Sequence, residues 1–555
     1  MDRRLLIFTF VLAVLGSVPG QAQELSASDR LAMLYAPKLT FTRDGDPTIR
    51  VGIIEGRTSV TFTPDRTIRV LPSDEGGPEI RLSGKKPCTV TATNPKSGKY
   101  RHMVVVNRLP VADRDAIEKV RQVWLKRGHL PETLEVGGLF AVGGKVFDSR
   151  TTLVTVHSTA VRADADKVRR KLETEFGIEA AIHSEISKYP SNTLTLQCEG
   201  SDAAIITQSA LWVAPMSGEE YKIKYTIPDI EKSYGKGRET RTYTGTLIFA
   251  PDNEGKLVAM VSVGAEKLLK GVVPAEMFAS AHPEALKAQA VAARNEIFSS
   301  IGVRNLAEPY MLRADVMDQV YGGVGAEDSR ASRAIDDTRG VVMFYGQKIV
   351  EAVYSSNAGG FTENNENVWD MEPRPWLRGK ADAIGTVPAK YQDGISEAEL
   401  LGFLENGYDS PSKTAPVSSN KLFRWKKSVP AGDLNKWLKD NGKSVGKVRD
   451  VRVLSRGISG RVKQLEVIGD KGKTTVEREL NARRLFGGLR SGLFVMKVNQ
   501  DAQGFATSFD FQGAGFGHGV GMCQTGAIGL ATNGESFRDI LKHYYSGIAI
   551  EQLYE

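Results

Sequence analysis

Near its C-terminus the chain reads Gly515-Phe516-Gly517-His518-Gly519-Val520-Gly521-Met522-Cys523-Gln524-Thr525-Gly526-Ala527. Residues without side chains, placed this densely, let the backbone approach a ligand closely. His518 and Gln524 supply polar groups able to bind or orient that ligand. Two other segments belong with this run: Gly271-Val272-Val273-Pro274-Ala275-Glu276-Met277 and Tyr354-Ser355-Ser356-Asn357-Ala358-Gly359-Gly360-Phe361-Thr362.

The chain begins with Arg3 and Arg4, an apolar run from Leu5 to Val18, and Pro19-Gly20-Gln21-Ala22. This is the order of a secretory signal. The apolar run is short for a spanning helix, so residues 1–22 are expected to be a signal peptide and the mature protein soluble and exported, to the periplasm or cell envelope. A membrane contact is expected only if that segment stays uncleaved. A formal charge of +7 over 555 residues is a mild basic bias that suits a polyanionic partner. Basic blocks interleaved with aromatics are absent, so nucleic acid is not an expected partner. Cys88, Cys198 and Cys523 have no metal-ligand spacing. We expect three buried apolar thiols, with Cys88–Cys198 the one pairing considered.

Residues 39–107 alternate apolar and polar positions, as in Ile49-Arg50-Val51-Gly52-Ile53, and predict a β-rich module at 30–110. Residues 111–215 predict an α/β module, with helices over 113–127 and 163–176 and strands at 153–156 and 193–196. Residues 221–263 return to β, so the α/β module reads as an insertion. Then Pro283 opens a helix with Leu286, Ala290, Ala293 and Ile297 on one face. Segments 341–354 and 447–468 are strand-like, and 386–446 is helical and loop-rich. The fold class is α+β.

Together these motifs resemble the SpoIID/LytB family, named for stage II sporulation protein D. Glu284-Ala285-Leu286-Lys287-Ala288-Gln289-Ala290-Val291-Ala292-Ala293-Arg294, Gln319-Val320-Tyr321-Gly322-Gly323 and His543-Tyr544-Tyr545-Ser546-Gly547 extend the match in the same order. The resemblance runs over about 243–555, less closely at 380–480. It implies a SpoIID-like catalytic domain at 216–555 that acts on peptidoglycan glycan strands, peptide-stripped ones in some members. The α/β module has some similarity to glycan-binding SPOR-type repeats. Some members are lytic transglycosylases, and others are described as enhancers of a wall amidase, which makes an amidase a candidate partner.

In that family the position of Glu276 is the catalytic acid. Val272, Val273, Met277 and Phe278 are expected to surround it, and an apolar setting raises a carboxyl pKa. A surface glutamate at a helix start is the alternative from residue chemistry alone. Expected substrate-binding residues are Gln319, Tyr321, Tyr354, Ser355, Ser356, Asn357, Gly359, Gly360, Thr362, His518, Gly519 and Gln524. Turn composition explains several of these equally well. Trp369 and Trp376 are candidates for stacking on sugar rings or for the core.

Hydrolysis of a glycoside usually needs two carboxylates. The motifs offer no clear second one, with Glu363 and Glu366 as the nearby candidates. A lytic transglycosylase needs one glutamate and produces 1,6-anhydro-muramic ends. His518 and Cys523 invite a thiol-nucleophile reading, which the frequent Ser at the Cys523 position in the family disfavours. Zinc-binding members carry His and Cys before the Gln-Val-Tyr segment. Here that stretch is Arg313-Ala314-Asp315-Val316-Met317-Asp318, without those donors, so no metal and no cofactor is expected. Two other readings stand beside the enzyme: a non-catalytic glycan binder that enhances an amidase, and an envelope scaffold.

Overall fold

The strand Pro47–Arg57 pairs with Leu257–Gly264, joining segments distant in sequence. Leu257–Gly264 is apolar nearly throughout and buried on both faces, the pattern of a central strand. Around it an eight-stranded sheet runs in the order Thr40–Phe41, Pro47–Arg57, Leu257–Gly264, Thr246–Pro251, Leu211–Pro215, Ile68–Leu71, Ile80–Leu82, with Leu312–Arg313 added parallel to Pro47–Arg57. A computed structural model describes residues 27–555 except 37, 73–78, 179, 209, 220, 233–236, 316–317, 370–371 and 417–419. The expected signal segment lies outside the described residues. The described fold is α+β.

A six-stranded sheet contains Ser59–Pro64, Cys88–Lys96, Ser191–Cys198, Ala204–Thr207, Tyr225–Glu231 and Arg238–Tyr243. The strand at 193–196, expected in the α/β module, pairs here instead. In this register Cys88 stands directly opposite Cys198, and the two form a disulfide. That corrects the expectation of three free thiols: strand pairing brings together residues that spacing left apart, and only Cys523 remains free and buried. Between these strands lies a four-stranded antiparallel sheet, Ala181–Lys188, Lys99–Pro110, Thr151–Thr159 and Glu132–Val136. Helices Arg114–Lys126 and Arg162–Phe176 cover it around Trp124 and Leu172.

Helix Pro283–Ser300 starts with Pro at its first position and His282 as cap. Its predicted apolar face is buried, and so is nearly every other residue from Ala285 to Phe298. It is therefore a central helix rather than an amphipathic one. Asn295 clamps a hairpin to it, donating to the carbonyls of Met343 and Val350 and accepting from Met343 N. The predicted strand at 341–353 is broken: Val341–Tyr345 turns at Gly346, with φ of +61°, into Lys348–Ile349. Tyr354–Ser355 then pairs in parallel with Met522–Cys523, so the start of the polar turn lies beside the later part of the Gly-rich run. Segment 386–446 carries short helices and the strand Arg424–Pro430, and 447–468 holds Val448–Arg456 and Val462–Gly469. Among the described residues no helix is long and apolar enough to cross a membrane.

Candidate active site

Glu276 is the last residue of helix Ala265–Glu276, not the first residue of a helix. Val272, Val273 and Met277 are buried around the helix end, whereas Phe278 is 69% exposed and gives no shelter. The half-buried Glu276 side chain lines a cleft of about 510 Å³. Burial raises its pKa above the ordinary carboxylate value, against the opposing effect of the Val320 backbone N–H. The negative end of the helix dipole also disfavours a carboxylate there. Such a group keeps its proton to a higher pH than a surface glutamate and is able to donate it.

Gln319, Tyr354, His518 and Trp369 line the same cleft. The Tyr354 hydroxyl donates to Gln319 Oε1 at 3.4 Å. His518 accepts from Val520 N at Nδ1, which fixes the tautomer, and donates from Nε2 to the Tyr354 carbonyl, both at 3.0 Å. Burial, with nearby Arg461, pushes its pKa down to about 3. The imidazole is therefore neutral and fully engaged with backbone, a wall for the cleft rather than an acid or base. Its ring packs 4.8 Å from Trp369, which leaves Trp369 at the cleft. Trp376 is buried and donates to the Glu351 carbonyl, a core role.

The remaining expected binding residues stand behind this wall. Tyr321 is buried against Tyr243 at 5.4 Å, over Gly271. Ser355 Oγ accepts from Gly519 N, and the Ser356 carbonyl accepts from Thr525. Asn357 is fully buried with Oδ1 accepting from Gly359 N. Gly359 and Gly360 turn the chain at positive φ, and Thr362 is buried against Lys380. A Cβ on Gly519 would overlap the Arg461 guanidinium. That buried arginine donates to the carbonyls of Ala358 and Phe361 and so joins the two motifs. The glycine density reflects this close packing of backbone on backbone, not approach to a ligand. Gln524 donates to the Glu276 backbone carbonyl at 2.8 Å. Cys523 caps helix Gln524–Thr532, its Sγ accepting from Gly526 N and Ala358 N. Burial holds its thiol at a pKa of about 12, which removes a thiolate nucleophile.

Neither carboxylate singled out beside the motifs reaches the cleft. Glu363 is wholly buried and accepts from Asn364, Asn367, Ile458 and Ser459, and Glu366 is paired with Arg378. Glu296, Glu351, Asp315 and Asp318 line the cleft instead. Glu296 projects from the central helix, 8% exposed, with one oxygen lacking a hydrogen-bond partner among the described residues. Burial raises its pKa to about 7, while Arg304 opposes the rise. Asp318 accepts from Arg313 N and Asn305 Nδ2 at 2.8 and 2.9 Å.

Comparison with known proteins adds to this geometry. Residues 253–345 match the stage II sporulation protein family, and residues 363–521 match a domain of unknown function. The chain is 28% identical over 305 residues to stage II sporulation protein D of Bacillus subtilis, covering 52% of this chain and 75% of that protein. It is 29% identical over 294 residues to the amidase enhancer of the same organism, covering 51% of this chain and only 40% of that protein. An uncharacterized protein of Brachyspira hyodysenteriae is 27% identical over 309 residues, covering 56% and 72%.

Proposed function

We propose that this chain, a member of the SpoIID/LytB family with a cell-wall-related function, cleaves peptidoglycan glycan strands as a lytic transglycosylase with Glu276 as acid and base. The Glu276 carboxyl protonates the oxygen of the glycosidic bond as it leaves the muramic anomeric carbon. The carboxylate then takes the proton of the muramic 6-hydroxyl, whose oxygen closes onto that carbon and gives a 1,6-anhydro end. Protons balance, and no water is consumed. The observation that carries this reading is the raised pKa of a carboxyl at a helix C-terminus inside a cleft. Trp369 offers a ring face to a sugar, and Gln319 and the Tyr354 hydroxyl offer partners to its hydroxyl and N-acetyl groups.

A second carboxyl, that of Glu296, does line the cleft. At a pKa of about 7 it is partly protonated at neutral pH, and in that form it serves as a hydrogen-bond donor. The product decides between the two reactions. Digestion of purified glycan in heavy-oxygen water is expected to give anhydro ends without label. Labelled reducing ends instead indicate hydrolysis, with Glu296 as first suspect for the base.

Export to an oxidising envelope compartment belongs to this proposal, and the Cys88–Cys198 disulfide supports it. A second reading, a glycan binder that enhances a wall amidase, is favoured by the similarity to the amidase enhancer. Under that reading a Glu276→Gln variant retains full enhancement of the amidase.

A further inference from the structure

A second groove, of about 620 Å³, lies where the inserted four-stranded sheet meets the central helix. Val105–Arg108, Phe147, Phe298 and Lys348 are among its walls, and Phe147 packs 6.4 Å from Phe298 across the junction. Arg304, Glu351 and Trp369 line both this groove and the Glu276 cleft, so the two are neighbours.

The charges in the groove are not balanced among themselves. Arg108, Arg304, Lys348 and Arg374 line it together with Asp148, Glu351 and Glu372. Asp148 is already held by Arg150, and Glu372 accepts from Asn107. Arg304 is engaged by Glu296 and Asp318, and Arg374 lies 3.7 Å from Glu351. The Arg108 and Lys348 side chains have no hydrogen-bonded or ion-paired partner among the described residues. Arg108 is exposed and Lys348 is half-buried. Confinement nevertheless lowers the pKa of both, with Arg374 adding to the effect and Glu351 opposing it. Two cations crowded by other cations, beside an apolar floor, form a receptor for a carboxylate.

We propose that this groove is a subsite for peptide-free wall glycan, in which Arg108 and Lys348 bind the lactyl carboxylate of a muramic residue beyond the cleavage point. The proposal rests on the glycan-cleavage reading above. A strand running from the Glu276 cleft past Trp369 reaches the groove directly. Its N-acetyl and lactyl methyls match the apolar floor. Lys99–Pro110, which supplies Val105–Arg108, is paired on both sides, so this wall offers no sheet edge to a peptide main chain. The inserted sheet thus supplies substrate contacts to a catalytic site built elsewhere in the chain.

The test measures binding by the full chain carrying Glu276→Gln, which prevents turnover. Probes are peptide-free glycan, an uncharged chito-oligosaccharide of equal length, and free stem peptide. Peptide-free glycan is expected to bind about tenfold tighter than the uncharged oligosaccharide, with that preference lost in Arg108→Gln/Lys348→Met. Lys348→Gln alone, with thermal unfolding as control, guards against misfolding of the double variant. An equal affinity for charged and uncharged glycan, or a preference that survives substitution, overturns the proposal. Stem peptide competing as well as the glycan also overturns it, in favour of a peptide site. In the Glu276 background, anhydro products made by Arg108→Gln/Lys348→Met at saturating glycan leave the cleavage reading intact whatever becomes of the groove. A wild-type chain that binds glycan but never cuts it sinks the cleavage reading and leaves the groove standing.

Discussion

The side-chain amide of Gln524 donates a 2.8 Å hydrogen bond to the backbone carbonyl of Glu276. That carbonyl belongs to the last turn of helix Ala265–Glu276, where helix carbonyls lack intrahelical partners. The same amide also donates to Gln289 Oε1 on the central helix, at 3.2 Å. The helix after the Gly-rich run therefore fixes the backbone from which the proposed acid projects. Gln524→Ala is expected to cost about 1–3 kcal/mol of stability through the unpaired acceptors. It is expected to lower kcat about tenfold while leaving KM nearly unchanged, because geometry and not binding is lost. A raised KM at unchanged kcat would return Gln524 to direct substrate contact.

Glu276→Gln is expected to reduce glycan cleavage by about 10²–10⁴-fold with a melting temperature no lower than that of the wild type. The pH profile carries the sign. The acid must be protonated at the start of each turnover, and its pKa is raised in the fold. Cleavage by the wild type is therefore expected to fall as pH rises through that raised value. The residual activity of Glu276→Gln should show no such limb.

Glu296 gives an effect on stability that is independent of turnover. Its folded pKa of about 7 lies above the model-compound value of 4.5. Below the lower value both folded and unfolded forms are protonated, and its contribution is fully present. As pH rises through the folded value, that contribution is lost, because the unfolded chain ionises first. Glu296→Gln is thus expected to be more stable than wild type by roughly 1–3 kcal/mol at about pH 8 and to show little gain at about pH 4. Equal gains at both values would mean that the fold does not raise the Glu296 pKa.

The composition of the motifs showed which segments meet, but not what they do on meeting. Glycines at 515–521 read as room for a ligand, and the space is filled by Arg461 and the polar turn. Tyr321 and Asn357 look like binding groups by type, yet both are buried. Glu276, Gln319, Tyr354 and His518 do share one cleft. Glu296 stayed hidden because helical spacing gave an apolar face without revealing that its flank meets the cleft. The Cys88–Cys198 bond depends on strand register, which no cysteine spacing encodes.

His518 is expected to matter through packing alone. His518→Ala removes two backbone hydrogen bonds and the contact with Trp369. Activity should drop about 10–100-fold together with the melting temperature. With a folded pKa of about 3, the imidazole does not titrate near neutrality, so the wild-type profile should have no limb near pH 6.5 from this residue. A limb there that disappears in His518→Asn would restore an acid–base role.

Cys523 separates the thiol reading from the glutamate reading most cleanly. Its Sγ accepts from Gly526 N at a helix start and from Ala358 N in the polar turn, and a serine hydroxyl fills such a cap position well. Cys523→Ser should therefore cleave glycan at nearly the wild-type rate and lose no more than about 1 kcal/mol of stability. The native thiol, fully buried and with a pKa of about 12, should resist alkylation at neutral pH until the protein unfolds. A nucleophile shows the reverse on both counts, being modified rapidly in the native state and dead as serine. A well-folded but inactive Cys523→Ser protein would displace Glu276 from the centre of the mechanism.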